Sequence, residues 1–436
     1  ADGHFQTSTY TFAPAAKIQE LYSSTQVIPR ESPPGYQIGG PGEFNIAASS
    51  LDLGNTLGVL SWGIGGPLGD NRRYASLASR VNSGASIDIE LTGDLTMLTS
   101  TIASMYGGNV TVNSTGGELD LGSQDLFGAS RFAFGIYTSG HSDVSVTAYK
   151  DVNIDGSRIA AYNGGNVFVE STHGNVDAGS GGNIYVNVQL VSRDPVTGQV
   201  VTREDPIYGS GIVAVSLPRE FQTPGGSTLP GDITVLTPRG DILSSKAGIL
   251  QLALDGNVAG GPTITLRAGT PASDGSPAIP GNVDLGDSGL IGGTVDIAAE
   301  GNIKGLIVSR QSSTINAAQS FSGTLLSAGS ANVSAGGSVS GTVIGVGGAS
   351  VSGGSGISAN ILSQNASVNG AASQSTLGTT AAATSTSQAA AKQASSTAQP
   401  QANPGLDEDD DKKKKKKTPS LTRRVGRVTV ILPPGS

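Results

Sequence analysis

Four segments decide the fold: Gly305-Leu306-Ile307-Val308-Ser309, Gly323-Thr324-Leu325-Leu326-Ser327, Gly341-Thr342-Val343-Ile344-Gly345 and Ala359-Asn360-Ile361-Leu362-Ser363. Each begins 18 residues after the last. Two further apolar tracks keep step, Ile315, Val333 and Val351 in one and Phe321, Val339 and Ile357 in the other. Three tracks in register over successive repeats describe a coil with about three strands per turn, so repetition is the first property to read. The spacing within a coil, Leu325 to Val333 to Val339, is eight then six residues. A left-handed hexapeptide helix would need an aliphatic residue every six. The spacing, and the longer upstream coils, favour a right-handed parallel β-helix.

Upstream, a phrase recurs in which glycine precedes a polar residue and an alternating apolar pair. It reads Gly108-Asn109-Val110-Thr111-Val112, Gly165-Asn166-Val167-Phe168-Val169, Gly182-Asn183-Ile184-Tyr185-Val186 and Gly231-Asp232-Ile233-Thr234-Val235. Looser copies begin at Gly281 and Gly293. Each predicts a short strand, apolar in and polar out, opened by a corner. Glycine accepts positive φ, and Asn or Asp tolerates the left-handed region, so both suit a corner. Segments this short cannot bury a face alone and must stack on their like.

The whole composition fits such a thin core. Among 436 residues there are 64 glycines, 5% aromatics, two Met and one Trp, whereas wide globular cores lean on aromatics. The formal net charge of −8 argues against a nucleic-acid partner, which calls for a basic stripe. The absence of cysteine excludes disulfides, thiolate zinc sites and thiol catalysis. No run of 18 apolar residues exists, so no transmembrane helix is predicted. The opening Ala1-Asp2-Gly3-His4 reads as a mature, processed or cut product.

Four regions follow. Residues 1–84, with Trp62, Pro33-Pro34 and a short amphipathic helix expected at Pro14 to Tyr22, are read as an N-terminal cap or an arm, since a solenoid must cover its open end. Residues 85–376 are the β-helix, roughly 13–16 coils and about 60–75 Å long at the ordinary inter-strand spacing. A charged, proline-bearing stretch within residues 190–230 is read as a projecting hairpin or loop. Residues 377–417 are a linker of Ala, Ser, Thr and Gln that ends in an acidic run and six lysines. Residues 418–436 carry a last strand signal, Arg427-Val428-Thr429-Val430-Ile431-Leu432. An isolated strand of this kind invites pairing with an exposed edge, on its own helix or on a neighbour, and these six residues are the candidate self-association site.

No catalytic, cofactor-binding or metal site is predicted. The closest acidic pair is Asp151 with Asp155; residues four apart on a strand share a face, and a solvated pair explains them as well as catalysis does. His4, His141 and His173 lack any metal-binding spacing. Neither a nucleophile elbow nor a phosphate loop has its required helix.

The phrases Gly-Asn-Val-x-Val, Gly231-Asp232-Ile233-Thr234-Val235-Leu236 and Ala299-Glu300-Gly301-Asn302-Ile303 resemble the passenger region of filamentous-haemagglutinin-type exoproteins over residues 85–340. The ending from Arg424 to Pro434 resembles the C-termini of very large members. The resemblance implies secretion through an outer-membrane partner, a long right-handed β-helix, and adhesion, biofilm or cell-contact roles at the bacterial surface. The family's N-terminal secretion domain is not visible, so a C-terminal piece or a short relative is expected. No catalytic residues carry over. Two functions remain open from the sequence: a filament or matrix subunit whose partners are copies of itself, joined by terminal arms and strands, and an adhesin for host or bacterial surface glycans. A polysaccharide-cleaving enzyme is the remote third.

Overall fold

The structure, a computed structural model, describes residues 35–378 except 40, 63–83, 106, 123–133, 180–184, 194–199, 209, 220–226, 245–246, 255–260, 274, 287 and 373–375, together with 422–425 and 428–431. The expected helix at Pro14 to Tyr22 and almost all of the expected 377–417 linker lie outside these residues. The chain divides into two units, Ala1–Thr384 and Ser385–Ser436. The first is all β: 31 strands joined in parallel as one continuous solenoid. In the second, Thr422–Val425 pairs antiparallel with Val428–Ile431.

Three sheets run along the solenoid. The first holds Gly35–Gly39, Gly58–Trp62, Thr101–Met105, Gly135–Ser139 and Arg158–Tyr162, then Gly211–Ser216, Gly248–Ala253 and Leu290–Gly292. The second starts with Glu43–Ala48, Ser86–Leu91 and Val110–Ser114, and the third with Leu51–Gly54, Leu95–Met97 and Leu119–Asp120. From Ile303 onward the third and first sheets fuse. Ile303–Ser309, Phe321–Ser327 and Ser338–Gly345 each run through the corner as one strand, bent at Gly305, Gly323 and Gly341. That fusion shortens the coil to 18 residues.

The three tracks read from the sequence are the buried columns of these last coils. Ile307, Leu325, Val343 and Ile361 stack in register, as do Ile315, Val333 and Val351, and Phe321, Val339 and Ile357. All are at most 2% exposed. Each β-branched or Leu residue packs on its equivalent above and below, so a one-residue slip would turn a whole track to solvent.

Three expectations need correction. The β-helix starts at Gly35, not at residue 85, because Gly35–Gly54 already pairs in register with the coils that follow; the sequence hid this because residues 63–83 separate the first coils. The phrase Gly182-Asn183-Ile184-Tyr185-Val186 is not a coil strand: Tyr185–Arg193 pairs antiparallel with Val200–Tyr208, so the excursion is a hairpin that begins before residue 190. Finally, among the described residues the second sheet contributes eleven strands from Ser86–Leu91 to Ala366–Ala372, a rise of about 50 Å. Excursions absorb the residues that the estimate of more coils had assigned to them.

Candidate interaction surface

The recurring phrase acquires its meaning from hydrogen bonds between coils. At the corner leading into the second sheet, the backbone N–H of Asn109 donates to Ser86 Oγ at 3.2 Å. The N–H of Asp143 donates to Asn109 Oδ1 at 3.0 Å, that of Asn166 to Asp143 Oδ1 at 2.8 Å, and that of Asp232 to Asn166 Oδ1 at 2.9 Å. The N–H of Thr263 closes this ladder on Asp232 Oδ1 at 2.7 Å. A second ladder climbs the next corner: Asn175 donates to Asp151, Asp241 to Asn175, Asn282 to Asp241 and Asn302 to Asn282, all between 2.6 and 2.8 Å. Ser320 and Ser338 continue it. A corner amide has no ladder partner of its own, so each side chain satisfies the backbone of the coil above.

This revises the reason for the motif. Among the described residues only His141, Asp155 and Asn163 combine a side chain with positive φ, so the Asn and Asp of the phrases are acceptors rather than left-handed corner residues. Of the phrase glycines Gly108 has φ +98°, but Gly165, Gly231 and Gly281 serve close approach. A Cβ on Gly231 would overlap the Gly165 carbonyl of the coil below and lie 2.8 Å from Asn166 N.

Asp151 and Asp155 are drawn into different settings. Asp151 accepts the Asn175 N–H at 2.6 Å as a rung of the second ladder. Asp155, with φ 51°, joins Asp120 and Asp177 of the neighbouring coils. Burial raises the carboxyl pKa of Asp120 above its ordinary value; the Gly122 N–H opposes this and Asp155 adds to it. Burial likewise raises Asp177, opposed by the Gly179 N–H at 2.9 Å and reinforced by Asp155. Among the described residues no group of three or more His, Cys, Asp or Glu is placed to hold a metal ion.

His4 lies outside the described residues, and His141 is an exposed corner residue. His173 stacks on Tyr149, one coil below, with ring centroids 4.1 Å apart and planes at 24°. Tyr149 is 41% exposed, so an aromatic step stands on the outside of the second corner, a feature the Ser/Gly context of His173 did not signal. Of the six candidate self-association residues, Val428–Ile431 pairs with Thr422–Val425; Arg427 and Leu432 lie outside the described residues.

The outer side of the second sheet is polar and regular. In the last coils Thr314, Asn332, Ser350 and Ser367 form one column, and Asn316, Ser334, Ser352 and Asn369 another. The outer side of the first sheet differs. Tyr137, Arg158, Ala160, Tyr162, Val213 and Leu250 point away from the core column of Ile136, Ile159, Ile212 and Ile249, yet are at most 5% exposed. The Arg158 guanidinium donates to Tyr162 Oη at 3.2 Å, and the Tyr137 and Tyr162 rings meet edge to face.

No curated protein and no solved structure matches the chain. Residues 164–260, from the corner of Gly164 through the hairpin to the strand Gly248–Ala253, match the family described as filamentous haemagglutinin family outer membrane protein, so this stretch of the β-helix is similar to that family, as its phrases led us to expect, and the likeness carries an extracellular or cell-surface location.

Proposed function

We propose that the chain is a non-enzymatic, adhesin-type protein of the bacterial surface, in which the β-helix is a stiff arm and its outer columns are the contact surface. The observation that carries this reading is the uninterrupted ladder of corner side chains beside polar outer columns, in a chain whose residues 164–260 match the filamentous haemagglutinin family. Side chains held one per coil, about 4.8 Å apart, form an ordered array of hydroxyl and amide groups that needs no reorganisation on binding. The exposed Tyr149–His173 step adds an aromatic face of the kind on which a sugar ring lies through its C–H groups. The acids are engaged in corners and turns, which supports a binding role over glycoside cleavage. The test is a glycan and cell-binding screen with the intact chain. Binding of an uncharged or weakly charged glycan that falls at least tenfold in Tyr149→Ala supports the reading. No binding to any glycan or cell surface counts against it.

A second reading, a filament of copies joined through the tail, is favoured by one observation. The Thr422–Val425 and Val428–Ile431 pair is a two-stranded sheet, and such a sheet has two outer edges that can add a strand from elsewhere. On this reading Arg427, Val428, Thr429, Val430, Ile431 and Leu432 carry self-association. Removal of residues 418–436 would then abolish assembly; fibres that persist without them would exclude the tail as the joint.

A further inference from the structure

The register of the first sheet exposes a column that no sequence period marks. Leu60, Ala103, Tyr137, Ala160, Val213, Leu250, Ile291, Val308, Leu326, Ile344 and Leu362 follow one another, one per coil, on its outer side. From Leu60 to Leu250 the column is buried within the chain, at most 5% exposed. In the same coils, long excursions leave and enter the first sheet, among them residues 63–85, 217–232 and the hairpin between Tyr185 and Tyr208. From Ile291 onward the coils carry no such excursion. There the same column comes to the surface: Ile291, Val308, Leu326 and Ile344 are half-buried and Leu362 is 38% exposed. The chain thus has one continuous packing face, covered over its N-terminal part and bare over its last five rungs.

We infer that this bare face is covered by the same face of a second copy of the chain, packed side by side. Three features select that occupant. The rungs are aliphatic and repeat once per coil, so only a partner with the same repeat can meet all of them; another copy has it by construction. From Gln311 to Ala391 the sequence contains no charged residue, so two such faces meet without repulsion and without any charge to pair. A two-fold axis through Leu326, the middle rung, sets Leu326 against its own equivalent and Val308 against Ile344, and identical side chains then interdigitate as in a dry zipper. Five coils of seven-residue strands offer roughly 500 Å² per copy, less than the roughly 800 Å² per partner of a stable complex. The contact is therefore weak in dilute solution and takes effect when many copies stand together on one surface. It joins the helices along their sides and does not use the C-terminal tail.

Because the chain has no cysteine, single thiols report on this contact directly. Facing sheets lie about 10 Å apart, so the reagent is a short bis-maleimide of that span, applied to the full-length protein. Leu326→Cys is expected to cross-link into dimers at least five times faster than Ser350→Cys on the second sheet, at equal protein concentration. Adding Ile344→Lys should remove the advantage while the far-ultraviolet circular dichroism and melting temperature stay those of the parent. Equal rates for Leu326→Cys and Ser350→Cys would overturn the inference. So would cross-linking that is insensitive to Ile344→Lys, or that peptide mapping places between residue 326 of one copy and the tail of another.

Discussion

Replacing Gly231 by alanine tests the account of the corners most directly. A Cβ there would overlap the carbonyl oxygen of Gly165, which is backbone and cannot swing aside. Relief requires lifting the corner by on the order of 1 Å, enough to carry bonds of ordinary length out of range. Three bonds depend on the corner: Asp232 N–H to Asn166 Oδ1 at 2.9 Å, Val167 N–H to the Asp232 carbonyl at 2.8 Å, and Gln251 Nε2 to the Gly231 carbonyl at 2.9 Å. At about 1 kcal/mol for each bond, the substitution should cost about 2–4 kcal/mol. Gly348→Ala is the matched control. Its Cβ would meet nothing closer than Asn365 O at 3.7 Å, and its φ is not positive. It should be neutral or should stabilise by up to about 1 kcal/mol through the unfolded chain. Urea unfolding followed by circular dichroism gives the difference in stability. Hydrogen exchange locates it, because a solenoid yields coil by coil: protection should fall at Val167 and Asp232 and remain at Val333. A Gly231→Ala protein as stable as the parent, or a Gly348→Ala protein damaged as much, would refute the close-approach explanation.

Other outcomes follow from the same structure. Phe321, fully buried between Ile303 and Val339, should cost about 3–5 kcal/mol when cut to alanine; a loss under 1 kcal/mol in urea unfolding would mean that the last coils are not tightly packed. Asp177→Asn should raise the melting temperature at neutral pH, since asparagine keeps the acceptor for the Gly179 N–H and the in-register residue one coil below is already Asn153. The sign follows from linkage: burial holds the Asp177 pKa above its ordinary value of 3.8, so the parent is penalised above its folded pKa and loses that penalty below 3.8. The advantage of the variant should therefore vanish in melts below pH 3.8, and an advantage that persists there would contradict burial as the cause. Asn282→Ala removes the acceptor of the Asn302 N–H and a donor to Asp241, at about 1–2 kcal/mol. Asn282→Asp should recover most of that loss in the same unfolding assay, and equal losses would show that the side-chain oxygen is not what holds the corner.

The sequence alone determined the all-β solenoid and the likeness to exoproteins of this class. Where coils are 18 residues long with no insertion, residues that stack in space are equally spaced in the chain, so Ile315, Val333 and Val351 announce a common column. The start at Gly35, the hairpin of Tyr185–Tyr208, the separation of Asp155 from Asp151 and the outer column from Leu60 to Leu362 were decided only by tertiary structure. Their coils contain excursions of unequal length, so strand partners lie anywhere from 17 to 53 residues apart. The pairing of parallel strands is a long-range choice, made by which apolar residues stack and which backbone groups find partners, and once insertions vary the distance along the chain no longer measures distance in space.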